Sequence, residues 1–204
     1  VSAFLLNRSS DLVVVNGQFM GMGKEAMQKT LSYQLDELQK DGCNVIIFQV
    51  RPECDALYES IYEPWSYYLT GQQGVAPNPY WDPLAWMIEQ SHKRGMELHA
   101  WINPYRAKTK VAHANASNHV VSQHPERCFD YDGLTLLNPA LKENRDYICQ
   151  VVTDILERYD VDGLHIDDYF YPYPTPGIPI PDNAYFRANS QGFTDIRPDR
   201  KSVV

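Results

Sequence analysis

The sequence has no CxxC pair and no Cys/His zinc spacing: Cys43, Cys54, Cys128 and Cys149 stand far apart. A disulfide-stapled scaffold and a zinc ribbon are therefore excluded, while the cysteines say little about redox compartment. No window approaches the roughly 18 uninterrupted apolar residues of a membrane span. Residues 1–6 are too short and lack the basic flank of a signal peptide, so any targeting segment lies outside this chain. GxGxxG and GxxxxGKS/T are both missing, which argues against dinucleotide and nucleotide binding. Positive charge is scarce too. Lys and Arg number 18 against 26 Asp and Glu, a net charge of −8. Such a surface repels phosphate backbones and anionic lipid, so the expected partner is neither nucleic acid nor a membrane but something neutral.

What is present suits a globular fold. With 204 residues, 44% hydrophobic and 22% charged, the chain can bury one ordinary core, or a piece of a larger one. Its 14 Tyr and 4 Trp, many in apparent loops, exceed what such a core needs and suit sugar or peptide surfaces. The regular pattern is a strand followed by a helix. Residues 12–16 read as a strand, and 24–40 carry Met27, Leu31, Leu35 and Leu38 at helical spacing until Gly42. Residues 45–50 are the second strand. Asp82-Pro83 caps a helix that ends at Gly95, and 96–102 form the third strand. Asn138-Pro139 repeats the cap, and Leu141, Ile148, Val152, Ile155 and Tyr159 make an apolar face ahead of a fourth strand at 163–166. Four such units in series predict an α/β fold with parallel strands, and without a phosphate loop the better choice is a (β/α)8 barrel. Only the first four β/α units are legible, a half barrel over residues 12–196, with 1–11 and 197–204 unassigned. The connections 51–81 and 103–137 are long enough to build a binding surface, and the proline-rich stretch from Tyr171 reads as an extended loop.

Parallel α/β folds keep their chemistry where the strands end. Alternation sends Leu98, Ala100 and Ile102 toward the helices and His99, Trp101 and Asn103 toward the axis. The same count turns His165 and Asp167 inward, leaves Gln49 and Arg51 at the axis, and ends the first strand in Asn16. Taken singly, His165 reads as structural. Asp167, flanked by Asp168 and followed by Tyr169, Tyr171 and Tyr173, reads as the nucleophile or base of a barrel hydrolase. Glycoside hydrolysis needs a second carboxyl group, for which Asp168, Asp55, Glu53 or a later strand are open. Arg51 fits either a carboxylate or sugar-acid contact, or a salt bridge with Asp55 that pins the loop. Trp65, Tyr67, Tyr68, Tyr80 and Trp81 are candidate sugar platforms, at least half of them expected to pack the loop instead.

Five stretches resemble the glycosyl hydrolase-like family 10. They are Phe48-Gln49-Val50-Arg51-Pro52 with Asp55-Ala56-Leu57-Tyr58, Glu63-Pro64-Trp65-Ser66, His99-Ala100-Trp101-Ile102-Asn103-Pro104-Tyr105-Arg106, Leu137-Asn138-Pro139, and the run from Asp162 to Pro172 around His165-Ile166-Asp167-Asp168-Tyr169. The resemblance implies a bacterial TIM-barrel glycosidase that cleaves peptidoglycan strands stripped of stem peptides and resides in the cell envelope or periplasm, including as a lipoprotein. With Arg51, Asp55, Tyr58, His99, Trp101, Asn103, Tyr105, Arg106, His165 and Tyr169 in the matching stretches, it implies that these residues, together with Asn16, bind the glycan, and that Asp167 and Asp168 are the catalytic carboxylates. No cofactor and no metal are expected. Gly163-Leu164-His165-Ile166-Asp167 is also similar to the fourth-strand motif of the alpha-amylase superfamily, which favours Asp167 as the nucleophile. Two rivals stand beside this reading. One is a metal-dependent barrel hydrolase using His99, His165 and Asp167, the other a glycan-binding module without catalysis.

Overall fold

The structure, a computed structural model, describes residues 4–5, 12–13, 20–166 and 172–189. In chain order the elements are β1 (Phe4–Leu5), β2 (Leu12–Val13), α1 (Lys24–Lys40), β3 (Val45–Arg51), α2 (Tyr67–Thr70), α3 (Pro83–His92) and β4 (Glu97–Ile102). There follow β5 (Arg106–Lys108), α4 (Val120–Gln123), β6 (Cys128–Tyr131), β7 (Leu134–Leu137), α5 (Lys142–Arg158), β8 (Gly163–Ile166) and α6 (Asn183–Asn189).

The helices follow their sequence signals closely. Met27, Leu31, Leu35 and Leu38 are the buried stripe of α1, and Gly42, at φ +85°, supplies the left-handed residue that ends it. Asp82 caps α3 by accepting from Ala85 N at 3.0 Å, with Pro83 at the first helical position. The third helix begins later than its cap-like sequence predicts. Asn138 Oδ1 accepts from Ala140 N at 3.0 Å and closes a turn, and α5 starts at Lys142 without a side-chain cap.

β3, β4 and β8 form one parallel sheet in that order. Ile46, Phe48, Val50, Leu98, Ala100 and Ile102 point from it into a single core shared with α1, α3 and α5. That is the predicted alternation. The expected first strand differs. Its described residues, Leu12–Val13, lie beside β3 but pair antiparallel with Phe4–Leu5, so three rather than four parallel strands stand among the described residues. Residues 14–16 lie outside the described residues.

The connection 103–137 is not an irregular loop. It carries an antiparallel sheet of order β5-β7-β6, whose hairpin turns at Asp132 (φ 47°) and Gly133 (φ 76°). Two consecutive positive φ angles match the twist of a two-residue hairpin, and Asp-Gly is the usual pair for it. The tail docks on this small sheet. Ile180 is buried against Tyr131 and Leu136, and Tyr131 Oη both donates to Ile178 O (3.2 Å) and accepts from Thr175 N (2.7 Å). The part expected to be extended also contains α6.

Candidate active site

The face of the parallel sheet turned away from the helices carries Ile47 and Gln49 on β3, His99 and Trp101 on β4, and His165 on β8. A register shift after Gln49 pairs Arg51 with the core residue Ile102, so Arg51 does not join the row that alternation predicts for it. Register puts Gln49 opposite Trp101 and Trp101 opposite His165, a row across all three strands. Gln49 Nε2 and Trp101 Nε1 are buried and have no hydrogen-bond partner among the described residues. Buried donors left unpaired are costly, so this row calls for acceptors.

His165 has a partner one step along the same face. Its Nε2 is 2.9 Å from His99 Nδ1, and His99 Nε2 is 3.0 Å from Glu97 Oε2. The His99 ring lies over Gly163, where a Cβ would stand 2.8 Å from its Cγ and Nδ1. Only a residue without a side chain leaves that space. Burial, and then the neighbouring His99, push the pKa of His165 down, which favours the neutral ring.

The loop after β3 is a packed hub rather than a sugar-facing rim. All of residues 51–58 are buried. Arg51 is 0% exposed and gives Nε and Nη2 to Glu63 at 2.6–2.9 Å. Its Nη1 reaches the carbonyls of Asn103 and Pro104. Its ion-pair partner is thus Glu63, not Asp55. Asp55 accepts instead from Glu53 N, Tyr67 N and Gln73 Nε2, and burial raises its pKa to about 6. Glu53 is held by Tyr68 Oη (2.9 Å), Thr109 N (3.0 Å) and His113 Nε2 (2.8 Å). Both carboxyls are 0% exposed, so neither stands where a glycosidic oxygen could reach it. They are corrected from candidate acids to loop anchors. Arg51 and Tyr58 likewise move from sugar contacts to packing, since Tyr58 is 0% exposed and edge-on to Tyr159.

The other predicted residues divide. Asn103 is buried at the end of β4 and accepts from Arg106 N at 2.8 Å, while Arg106 Nε donates to Pro52 O. Tyr105 packs between the main core and the small cluster around Cys54 and Ala107. Of the five loop aromatics Trp81 is buried, Trp65 packs on the core, Tyr67 stacks on His113 at 4.3 Å and Tyr68 bonds Glu53. Tyr80 alone of the five is strongly exposed, at 54%. Asn16, Asp167, Asp168, Tyr169 and Tyr171 lie outside the described residues. Sequence reasoning gave no role to Glu63 or Glu97. The signal for Glu97 was available, because a residue two before His99 on a strand shares its face.

A cavity of about 340 Å³ opens between the start of α1 and the connection after β3, lined by Met22, Lys24, Leu69, Thr70, Pro77 and Trp81 among others. Of the candidate sugar platforms Trp81 borders it, and none of the polar candidate residues does.

The chain is 41% identical over 184 residues to the glycosyl hydrolase YngK of Bacillus subtilis, covering 89% of this chain and 36% of that protein. It is 38% identical over 176 residues to the glycosyl hydrolase DigH of Escherichia coli K12, covering 81% and 39%. The chain thus spans less than two-fifths of the length of these curated relatives. Two TIM-barrel glycosidase structures share its fold. A noncanonic maltogenic alpha-amylase AmyB from Thermotoga neapolitana aligns with TM-score 0.51 at 14% identity, over 79% of this chain and 39% of that one. Alpha-L-fucosidase isoenzyme 2 from Paenibacillus thiaminolyticus aligns with TM-score 0.52 at 14% identity, over 76% and 23%. With the glycosyl hydrolase-like 10 model matching residues 10–200, nearly its whole length, the chain belongs to the glycosyl hydrolase-like 10 family.

Proposed function

We propose that the full-length protein is a glycoside hydrolase acting on bacterial cell-wall glycan, its substrate being peptidoglycan strands that lack stem peptides. This chain supplies the first half of its (β/α)8 barrel, and the site of action is the cell envelope. The family membership and the likeness in fold to glycosidases support the reaction class. The observation that carries the proposal is the row Gln49, Trp101 and His165 on the sheet face opposite the core, in which the buried donors of Gln49 and Trp101 have no partner among the described residues. Asp167 lies outside the described residues, and the sequence alternation is what supports its placement on this face, two residues beyond His165. There it serves as nucleophile or base at the strand end, where barrel enzymes gather their catalytic groups.

A carboxylate in that role cannot be replaced by an amide, which neither attacks an anomeric carbon nor takes a proton from water. Asp167→Asn in the full-length protein is expected to lower release of reducing ends from denuded glycan by about a thousandfold or more, with binding retained. A rate near that of the wild type would remove Asp167 from the mechanism. Glycan binding without any cleavage by the wild type would favour a binding module instead.

A further inference from the structure

A neutral imidazole has one N–H and one lone pair. Glu97 Oε2, 3.0 Å from His99 Nε2, can only accept when ionised, so the proton of His99 sits on Nε2. His99 Nδ1 is then the lone pair, and His165 Nε2, 2.9 Å away, must supply the N–H between them. His165 Nδ1 is left as an acceptor. Three side chains on two strands therefore share one bond direction, and its origin is the carboxylate of Glu97.

We propose that Glu97 is a positioning residue for the reaction: acting through His99, it holds His165 as the Nε2–H tautomer, so that His165 meets the glycan as an acceptor and reads a hydroxyl or amide N–H. This rests on the glycosidase reading above. Three features favour it. Gly163 leaves the space in which the His99 ring lies. The row containing His165 also holds the donors of Gln49 and Trp101, which have no partner among the described residues, so an acceptor beside them gives the face both kinds of group for a sugar ring. The other charged group near the pair is engaged elsewhere: Asp162, ahead of β8, is bonded to His92 of α3 at 2.8 Å and to Leu98 N at 2.7 Å, and β3 offers only Ile47 and Gln49.

The test uses the full-length protein and long-range ¹⁵N–¹H correlation spectra of its imidazoles, together with kcat and KM on denuded glycan strands. In the wild type both rings are expected in the Nε2–H form. Glu97→Gln presents both a donor and an acceptor and so no longer dictates the proton. The Glu97 side chain is 59% exposed, which makes the variant safe for folding. It is expected to give mixed tautomers at His165 and a kcat/KM lower by about five- to tenfold, the size of one neutral hydrogen bond. An Nδ1–H form of His165 in the wild type overturns the proposal, and so does either readout changing without the other, or neither changing. A wild type that cleaves no glycan defeats the glycosidase reading, and the spectra still decide where the protons of the pair lie.

Discussion

The guanidinium of Arg51 places three hydrogen bonds on Glu63 and two on the carbonyls of Asn103 and Pro104, and both members of the ion pair have 0% side-chain exposure. Tyr147 Oη adds a further bond to Glu63 at 2.8 Å, which ties α5 to the same point. A pair this deep contributes little over an apolar substitute, yet breaking it strands a charge in low dielectric. Glu63→Gln is therefore expected to reduce the unfolding free energy by about 3–5 kcal/mol, measured by chemical denaturation. A loss below about 1 kcal/mol would mean that water reaches Arg51 after all. This pair was not legible in the chain. Charged residues are normally exposed, and the sequence separation of Arg51 and Glu63 gives no local sign that they meet. The candidate contact with Asp55 was nearer in sequence and was the wrong one.

At the scale of elements, the period-two alternation of β3 and β4 was fully legible, because one face of each strand must be apolar to meet the helices. Ile46, Phe48, Val50, Leu98, Ala100 and Ile102 are all 0% exposed, as alternation requires. The contact between β4 and β8 at Gly163 was not, since nothing local says that a ring from another strand occupies the place of its side chain. Gly163→Ala is expected to displace His99, lower stability by about 1–3 kcal/mol as overpacking does, and remove the His99–His165 hydrogen bond. Thermal unfolding and the imidazole NMR signals read the two effects. Unchanged His99 and His165 resonances would show that the strands shift to accommodate the methyl group. The hairpin of β6 and β7 was missed although Asp132-Gly133 announces it. The surrounding connection was read as a loop because its strands are short and separated by irregular chain.

For the molecule as a whole, the buried hub after β3 couples folding to pH. Asp55 has a pKa of about 6 against an ordinary 3.8, because burial disfavours its ionised form more than Gln73 and the Tyr67 amide favour it. Between about pH 4 and 6 the unfolded chain has lost this proton while the folded one still holds it. Stability from this group therefore falls as pH rises through that window and is level above it. Denaturant titrations at a series of pH values should show the slope as a difference between the wild type and Asp55→Asn. Parallel curves for the two would mean that Asp55 ionises normally inside the fold.

The sequence by itself determined the strand and helix rhythm, the inward direction of His99, Trp101 and His165, and the family, because periodicity and short motifs are local properties of a chain. Only the tertiary structure decided that Arg51, Glu53, Asp55 and Tyr58 are interior anchors, that Glu97 and Gly163 arrange the histidine pair, and that the second long connection is a sheet. Burial and hydrogen-bond partnership arise between segments far apart in sequence, so they exist only once those segments have been brought together.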